Sequence, residues 1–318
     1  EFRSCILWSW LDKGEAKDVQ KAVIAFARDA GVEMRTSCTV KKLLIEEDVI
    51  KGLETTAGAF SADNIIVATG GLSYPETGCT GDGYAWAKTC GHRVVKPEAA
   101  LVPVKLNDAW TAEVSNFNLK NVRISLCVDG KKVDERFGEA FFTRAGIGGP
   151  IILDMSSRIR DELKKGEVKL LLDLKPAVAT ELFDKRLQRE LAEQSNQEFG
   201  KSLGGLLPRD MIPVFLRLVG IDPKKKCHSV TKVERQRLLK LFKELELSVS
   251  SCAGFRKAIV TSGGVSLKDI DMRSMRSKLV KNLFFAGEMI DLDGPTGGFN
   301  LQECWSTGYL AGISAAEA

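Results

Sequence analysis

Residues 286–309 read AGEMIDLDGPTGGFNLQECWSTGY, and the turn they describe decides how the chain is read. Gly294, Pro295, Gly297 and Gly298 crowd into five positions, so the backbone must reverse tightly there. From Phe299 the rhythm becomes helical, with Leu301, Trp305, Tyr309 and Ile313 at four-residue spacing and predicted to pack as one stripe. A glycine turn that opens a helix leaves the first backbone N–H groups unpaired at the positive end of the helix dipole. That end suits an anion or an electron-rich heteroatom.

The strand just upstream, NLFFAGE at 282–288, has a partner in kind far earlier, IIVATGG at 65–71. Both are apolar runs that end in a small residue and glycine, and both are expected to be strands covered on each face. In open α/β sheets ligands collect at the carboxyl ends of such strands, and glycine lets a ligand lie against the backbone. A large flat cofactor could cross both strand ends and meet the helix start.

The rest of the chain divides by period. Residues 7–18, LWSWLDKGEAKD, show none. Residues 17–30 predict an amphipathic helix with Val19, Val23, Phe26 and Ala27 on one face, stopped by Gly31. A strand at 32–35, an antiparallel meander at 39–60 and the buried strand at 64–68 follow. DGYAWAKTCG predicts a short helix with Asp82 as its N-cap and Gly91 beyond its end, where His92 is expected to cap. From 100 to 174 the period is mostly two, apart from a glycine turn and helix in GIGGPIILDMSSRIRDEL. Three helices follow within 176–250, and strands return after 252. These readings give a discontinuous domain of residues 1–100 and 252–318, interrupted by a β domain at 101–175 and a helical subdomain at 176–251.

Composition narrows the function. The chain has 318 residues, 44% of them hydrophobic and 28% charged, as in a globular protein. A formal net charge of +4 gives no electrostatic ground for a nucleic-acid or membrane partner. No apolar run approaches the roughly 20 residues of a membrane span, and no signal peptide is evident. Eight cysteines without a CxxC pair point to a reducing cytoplasm, and two histidines without ligand spacing give no metal site. TGCTGDG at 77–83 lacks the ending of a phosphate-binding P-loop, and no GxSxG of a hydrolase occurs. The basic run at 222–240 could imitate a DNA-reading helix, or be the solvated face of an inserted unit.

Two stretches carry a resemblance: VATGGLSYPETGCTGDGYAWAKTCGHRVVKPEAALVPVKL from Val67 and LFFAGEMIDLDGPTGGFNLQECWSTGYLAG from Leu283. Together they resemble the signatures of the HI0933-like flavoproteins, FAD-dependent oxidoreductases some of which are described as aminoacetone-oxidase-like or bile-acid-reductase-like. The resemblance covers residues 17–314. It implies an α/β flavoprotein-type FAD/NAD(P)-binding domain with an inserted β domain and three-helix unit. It implies hydride transfer through flavin N5 to or from a small organic substrate, with NAD(P)H as a transient donor. Residue by residue, it implies that Val40 contacts the adenine side of FAD and that Ala68, Thr69, Gly70 and Gly71 pass near the dinucleotide. Gly287 and Glu288 would approach the pyrophosphate and ribityl chain. Gly297, Gly298, Phe299, Asn300 and Leu301 would form the turn beneath the isoalloxazine, whose reduced, negatively charged edge the helix dipole favours. Tyr74, Thr80 and Asp82 could line a substrate pocket. The sequence departs from the family in one respect: it contains no GxGxxG, so the expectation is a flavoprotein lacking its N-terminal nucleotide-binding unit. The competing expectation is a cofactor-free scaffold or binding module. No acid, base or nucleophile is assignable from the sequence.

Overall fold

A computed structural model describes residues 16–115 and 117–318; the unpatterned N-terminal stretch falls largely outside them. The chain forms two compact units that divide between Asp63 and Asn64.

The first unit holds helix α1 (Ala16–Asp29) and a three-stranded antiparallel sheet of β1 (Val40–Glu46), β2 (Val49–Thr55) and β3 (Gly58–Ser61), in that order. Short turns join neighbouring strands, which is why the meander was legible as alternating residues. Two expectations fail here. No strand forms at 32–35, where Arg35 instead pairs with Glu33 at 2.7 Å and lies over the Phe60 ring. The apolar face of α1 is not buried: the helix has no buried residue, and Phe26 is 70% exposed.

The second unit begins with β4 (Ile65–Val67), α2 (Asp82–Thr89), β5 (Val94–Ala100) and β6 (Val104–Leu106). It continues through the long hairpin β7 (Asn118–Val128) and β8 (Lys131–Thr143), then β9 (Gly146–Gly148), α3 (Pro150–Glu162) and β10 (Val168–Asp173). Helices α4 (Thr180–Glu193), α5 (Phe199–Ser202), α6 (Ile212–Val219) and α7 (Lys232–Lys243) come next. Strands β11 (Leu245–Cys252), β12 (Val260–Val265), β13 (Ile270–Asp271), β14 (Arg276–Ser277) and β15 (Leu283–Phe285) lead to the last helix, α8 (Phe299–Ala316).

Six strands close into a barrel in the order β10-β11-β6-β9-β8-β7. Strand β11 supplies the closure, although the sequence placed its residues at the end of a helical stretch. Its alternation shows why it is a strand: Leu245, Leu247 and Val249 are buried while Glu246 is exposed. The helices between β10 and β11 do not build a core of their own. Phe183 of α4, Phe215 of α6 and Phe242 of α7 join one buried cluster with Ile124, Leu126, Phe142, Leu170 and Leu247 of the barrel. Phe242 stands 5.1 Å from both Phe183 and Phe215 between ring centroids. The basic residues around α7 are partly spent on neighbours, with Lys225 on Glu234, Arg235 on Asp184 and Lys243 on Asp173. Thr231 and Glu234 form a capping box at its start.

Strands before and after the barrel pair with one another. β5 runs antiparallel to β12, and β4 runs parallel to β15 with Ile65, Ile66 and Val67 opposite Leu283, Phe284 and Phe285. The order of that sheet, β13-β14-β15-β4, leaves β4 on an edge, and Ile66 is exposed rather than covered on both faces as expected.

Replacing Phe242 by Ala should lower stability by about 3–5 kcal/mol, because a fully buried ring leaves a cavity. Since barrel and helices share one core, urea unfolding of this unit followed by far-UV and near-UV circular dichroism should lose both signals at one midpoint. Separated midpoints would show two independent cores.

Candidate functional site

The parallel pairing of β4 with β15 sets the carboxyl ends of two glycine-terminated strands side by side. The pairing continues past the strands, as Ala286 N–H donates to Val67 O at 3.1 Å. Ala68, Thr69, Gly70 and Gly71 therefore run beside Ala286, Gly287 and Glu288. Gly70 and Gly287 both hold left-handed backbone, φ +73° and +71°, at the point where each chain leaves its strand.

A hydrogen-bond lock ties these ends to β12. Glu288 Oε1 accepts the Thr261 N–H at 2.6 Å. Thr261 Oγ1 accepts the N–H groups of Leu72 at 2.8 Å and Ser73 at 3.1 Å, and shares a 3.0 Å hydrogen bond with Ser73 Oγ. Thr261 is fully buried, and a Cβ added at Gly71 would overlap its side chain. One glutamate oxygen and one threonine hydroxyl thus fix the loop after β4, the 3₁₀ turn after β15 and strand β12 together.

Helix α8 packs its Thr307 face on the same turn. Gly287 N–H donates to Thr307 Oγ1 at 2.9 Å, and that hydroxyl donates in turn to Glu303 O. The glycine turn before α8 closes on Asn300, whose Oδ1 accepts from Gly294 N and whose Nδ2 donates to Gly294 O and Pro295 O. The turn is anchored to α3, where Asp154 Oδ1 accepts from Thr296 N–H at 2.8 Å. Gly297 and Gly298, at φ +109° and +93°, complete the reversal. Helical hydrogen bonding begins with Gln302 N–H to Gly298 O, which leaves the N–H groups of Phe299, Asn300 and Leu301 ahead of the ladder.

Against the sequence expectations, the structure brings Ala68–Gly71 and Gly287–Glu288 to one edge and sets α8 against that edge. The Asn300 side chain is engaged in closing its own turn. Val40 opens β1 in the first unit. The members of the stripe Leu301, Trp305, Tyr309 and Ile313 are 39–66% exposed, as is Phe299 at 60%. Asp82 is the first residue of α2 rather than its N-cap, which is Gly81, and accepts from Thr80 Oγ1 at 2.9 Å. Tyr74 is exposed in a left-handed conformation. His92 does cap: its Nδ1 lies 3.1 Å from Ala87 O, and Nε2 lies 2.7 Å from Ser277 Oγ. Burial holds its pKa below the usual value, against the raising effects of that carbonyl and of Asp269.

Sequence reasoning named Thr69 as a cofactor residue but gave no role to Tyr84 or Glu303. Among the described residues, four buried side-chain polar atoms have no hydrogen-bond partner: Thr69 Oγ1, Tyr84 OH, Glu303 Oε1 and Arg276 Nε. Glu288 acts electrostatically on two of them, Tyr84 and Glu303. Thr69 sits at the end of β4, where a Cβ on Gly83 would overlap its hydroxyl. Tyr84, only 6% exposed, has its phenol pushed up by burial first, then by Glu288 and Cys79. Glu303 is pushed up to about 7, by burial first, then by Asp293 and Glu288. Unpaired buried polar groups are costly and rare, so their gathering at one strand edge marks a place where a polar ligand would meet them. No sequence pattern announces that these atoms are buried without partners, because that depends on the folded chain. A flat, polar-edged group fits this donor and acceptor set together with the free N–H groups of α8. Among the described residues no cluster of His, Cys, Asp and Glu is suited to hold a metal.

Paired strand ends, glycine exits and a helix start define the ligand edge of an α/β nucleotide-binding domain. The chain belongs to the HI0933-like family: the profile described as HI0933-like protein Rossmann domain matches residues 10–314. The α/β class and the family resemblance read from the sequence therefore hold. The chain is 30% identical over 277 residues to a ribosomal RNA dihydrouridine synthase of Haemophilus influenzae, covering 86% of this chain and 66% of that protein. It is 29% identical over 259 residues to a 3-dehydro-bile acid delta(4,6)-reductase of Clostridium scindens, covering 81% of this chain and 63% of that protein. It thus spans a little under two thirds of the length of these relatives. Among solved structures it aligns with the FrdA subunit of E. coli quinol fumarate reductase at a TM-score of 0.41 and 16% identity, covering 95% of this chain and 47% of that one.

Thr261→Val should lower stability by about 1–3 kcal/mol, because it strands the N–H groups of Leu72 and Ser73. Hydrogen exchange at those two amides should quicken in the variant, and unchanged exchange would show that the lock is not what holds the loop.

Proposed function

We propose that this protein is an FAD-dependent oxidoreductase that transfers hydride to or from a small organic substrate and is reduced by NAD(P)H. The observation that carries this reading is the meeting of three unpartnered buried polar atoms with two glycine-ended parallel strands and the start of α8. In this reading Ala68–Gly71, Gly287 and Glu288 hold the dinucleotide, and Gly297–Leu301 lie beneath the flavin, with Val40 on the adenine side. Bound FAD supplies the hydride through its N5. The residues of this chain orient it, offer N–H donors where negative charge gathers and exclude water. The relatives are named as a reductase and as a dihydrouridine synthase, and both names support reduction of an unsaturated substrate here. The seven described cysteines are all free, which supports a reducing, cytoplasmic setting.

A second reading has its own observation. Among the described residues strand β4 ends its sheet, with Ile66 exposed. In that reading the FAD pyrophosphate site belongs to a further polypeptide segment, and residues 1–318 alone are a cofactor-free scaffold.

Visible absorption separates the two. Purified with excess FAD and then desalted, the chain should retain a stoichiometric flavin band that bleaches anaerobically with NADH or NADPH. Loss of all flavin on desalting would sink the first reading for this chain and leave the scaffold.

A further inference from the structure

We propose that Glu303 is the acid of this site, the group that gives the substrate its proton when the substrate accepts a hydride. The inference rests on the redox reading above and assigns a residue that no family signature in the sequence pointed to.

The placement comes first. Glu303 lies one turn before Thr307, the residue whose hydroxyl takes the Gly287 N–H, so it shares the side of α8 that addresses the end of β15. Its Oε1 is buried and has no partner, so a proton carried there is not committed to any protein acceptor. Of the two carboxyls that act on it, Glu288 is already engaged, its Oε1 held by the Thr261 N–H. The Tyr84 phenol is shifted away from neutrality, which makes it a poor donor.

The electrostatic surroundings agree. The charged groups acting on Glu303 are Asp293 and Glu288, both negative, and the thiol of Cys304 is its chain neighbour. Burial and those two carboxyls push Glu303 up to about 7, the range in which an acid both holds a proton and releases it during turnover.

The chemistry needs such a group. Reducing a double bond breaks one π bond and forms two bonds to hydrogen. One of these takes the hydride with its electron pair, which originates in NAD(P)H. The other takes the Glu303 proton. The substrate gains two electrons, and the carboxylate left behind recovers its proton from water.

Two measurements test this. In the cofactor-free chain, carbon-13 NMR of the glutamate carboxyls should show one resonance titrating near pH 7 that is absent from Glu303→Gln. The sign for stability follows: an ordinary carboxyl titrates near 4.5, so the stabilising protonation of Glu303 is lost as pH rises through 7. Glu303→Gln should therefore gain in melting temperature over wild type at pH 8 and not at pH 5. In the FAD-loaded protein, with cyclohex-2-enone as probe, Glu303→Gln should slow enone reduction by about 100-fold or more. Flavin bleaching by NAD(P)H should change less than about threefold, a split that a general loss of structure would not give. A Glu303 resonance titrating near 4.5, or enone reduction within threefold of wild type in the variant, overturns the assignment. So does a wild type that bleaches with NAD(P)H but leaves the enone unreduced. A wild type that retains no FAD overturns the redox reading and this assignment together.

Discussion

The pairing of Ile65–Val67 with Leu283–Phe285 is the contact on which the rest of the second unit depends. It joins segments that the whole barrel separates in sequence, so its loop-closure cost is met only when the intervening core has formed. The parallel direction matters as much as the contact. Parallel strands end at the same edge, so the glycine exits Gly70 and Gly287 emerge together and the Thr261 lock can span them. An antiparallel pairing of the same residues would put the two exits at opposite edges and leave no shared ligand edge.

Much of this was legible because it is local. The glycine turn before α8, the antiparallel meander of β1, β2 and β3 and the two strand-ending signatures are set by residues within a few positions of one another. What escaped depends on distant partners. Periodicity tells which residues of α8 share a face, and Trp305 and Tyr309 do share one. It does not tell how far that face is buried, and Trp305 and Tyr309 are 41% and 55% exposed. The same holds for α1, where Phe26 and Val23 line up and remain exposed. Strand β11 escaped for a different reason. It follows Lys243 with a single residue between, so a helix reading ran on into an alternation that barrel closure turns into a strand.

The functional atoms were the least legible. Thr69 stood in a signature, but Tyr84 and Glu303 had no role assigned to them, and the meaning of all three comes from burial without a partner, which only the folded chain creates. Gly83 is informative in this respect. The sequence reads it as one more glycine in a loop-helix junction, yet its missing side chain is what leaves room for the Thr69 hydroxyl beside Tyr84.

The start of α8 also changes how the helix dipole should be weighed. A dipole alone favours an anion at the N-terminus by about 0.3–1 kcal/mol when partly exposed. Here Glu288 and Asp293 act on Glu303 in the second turn of the helix, and a third full negative charge would oppose the dipole at short range. Burial resolves the conflict by favouring the neutral carboxyl, so the positive end of the helix is not cancelled and a proton is stored beside it. Under the redox reading proposed above, charge arriving at the helix start and a proton held one turn further on would serve the two halves of one reduction.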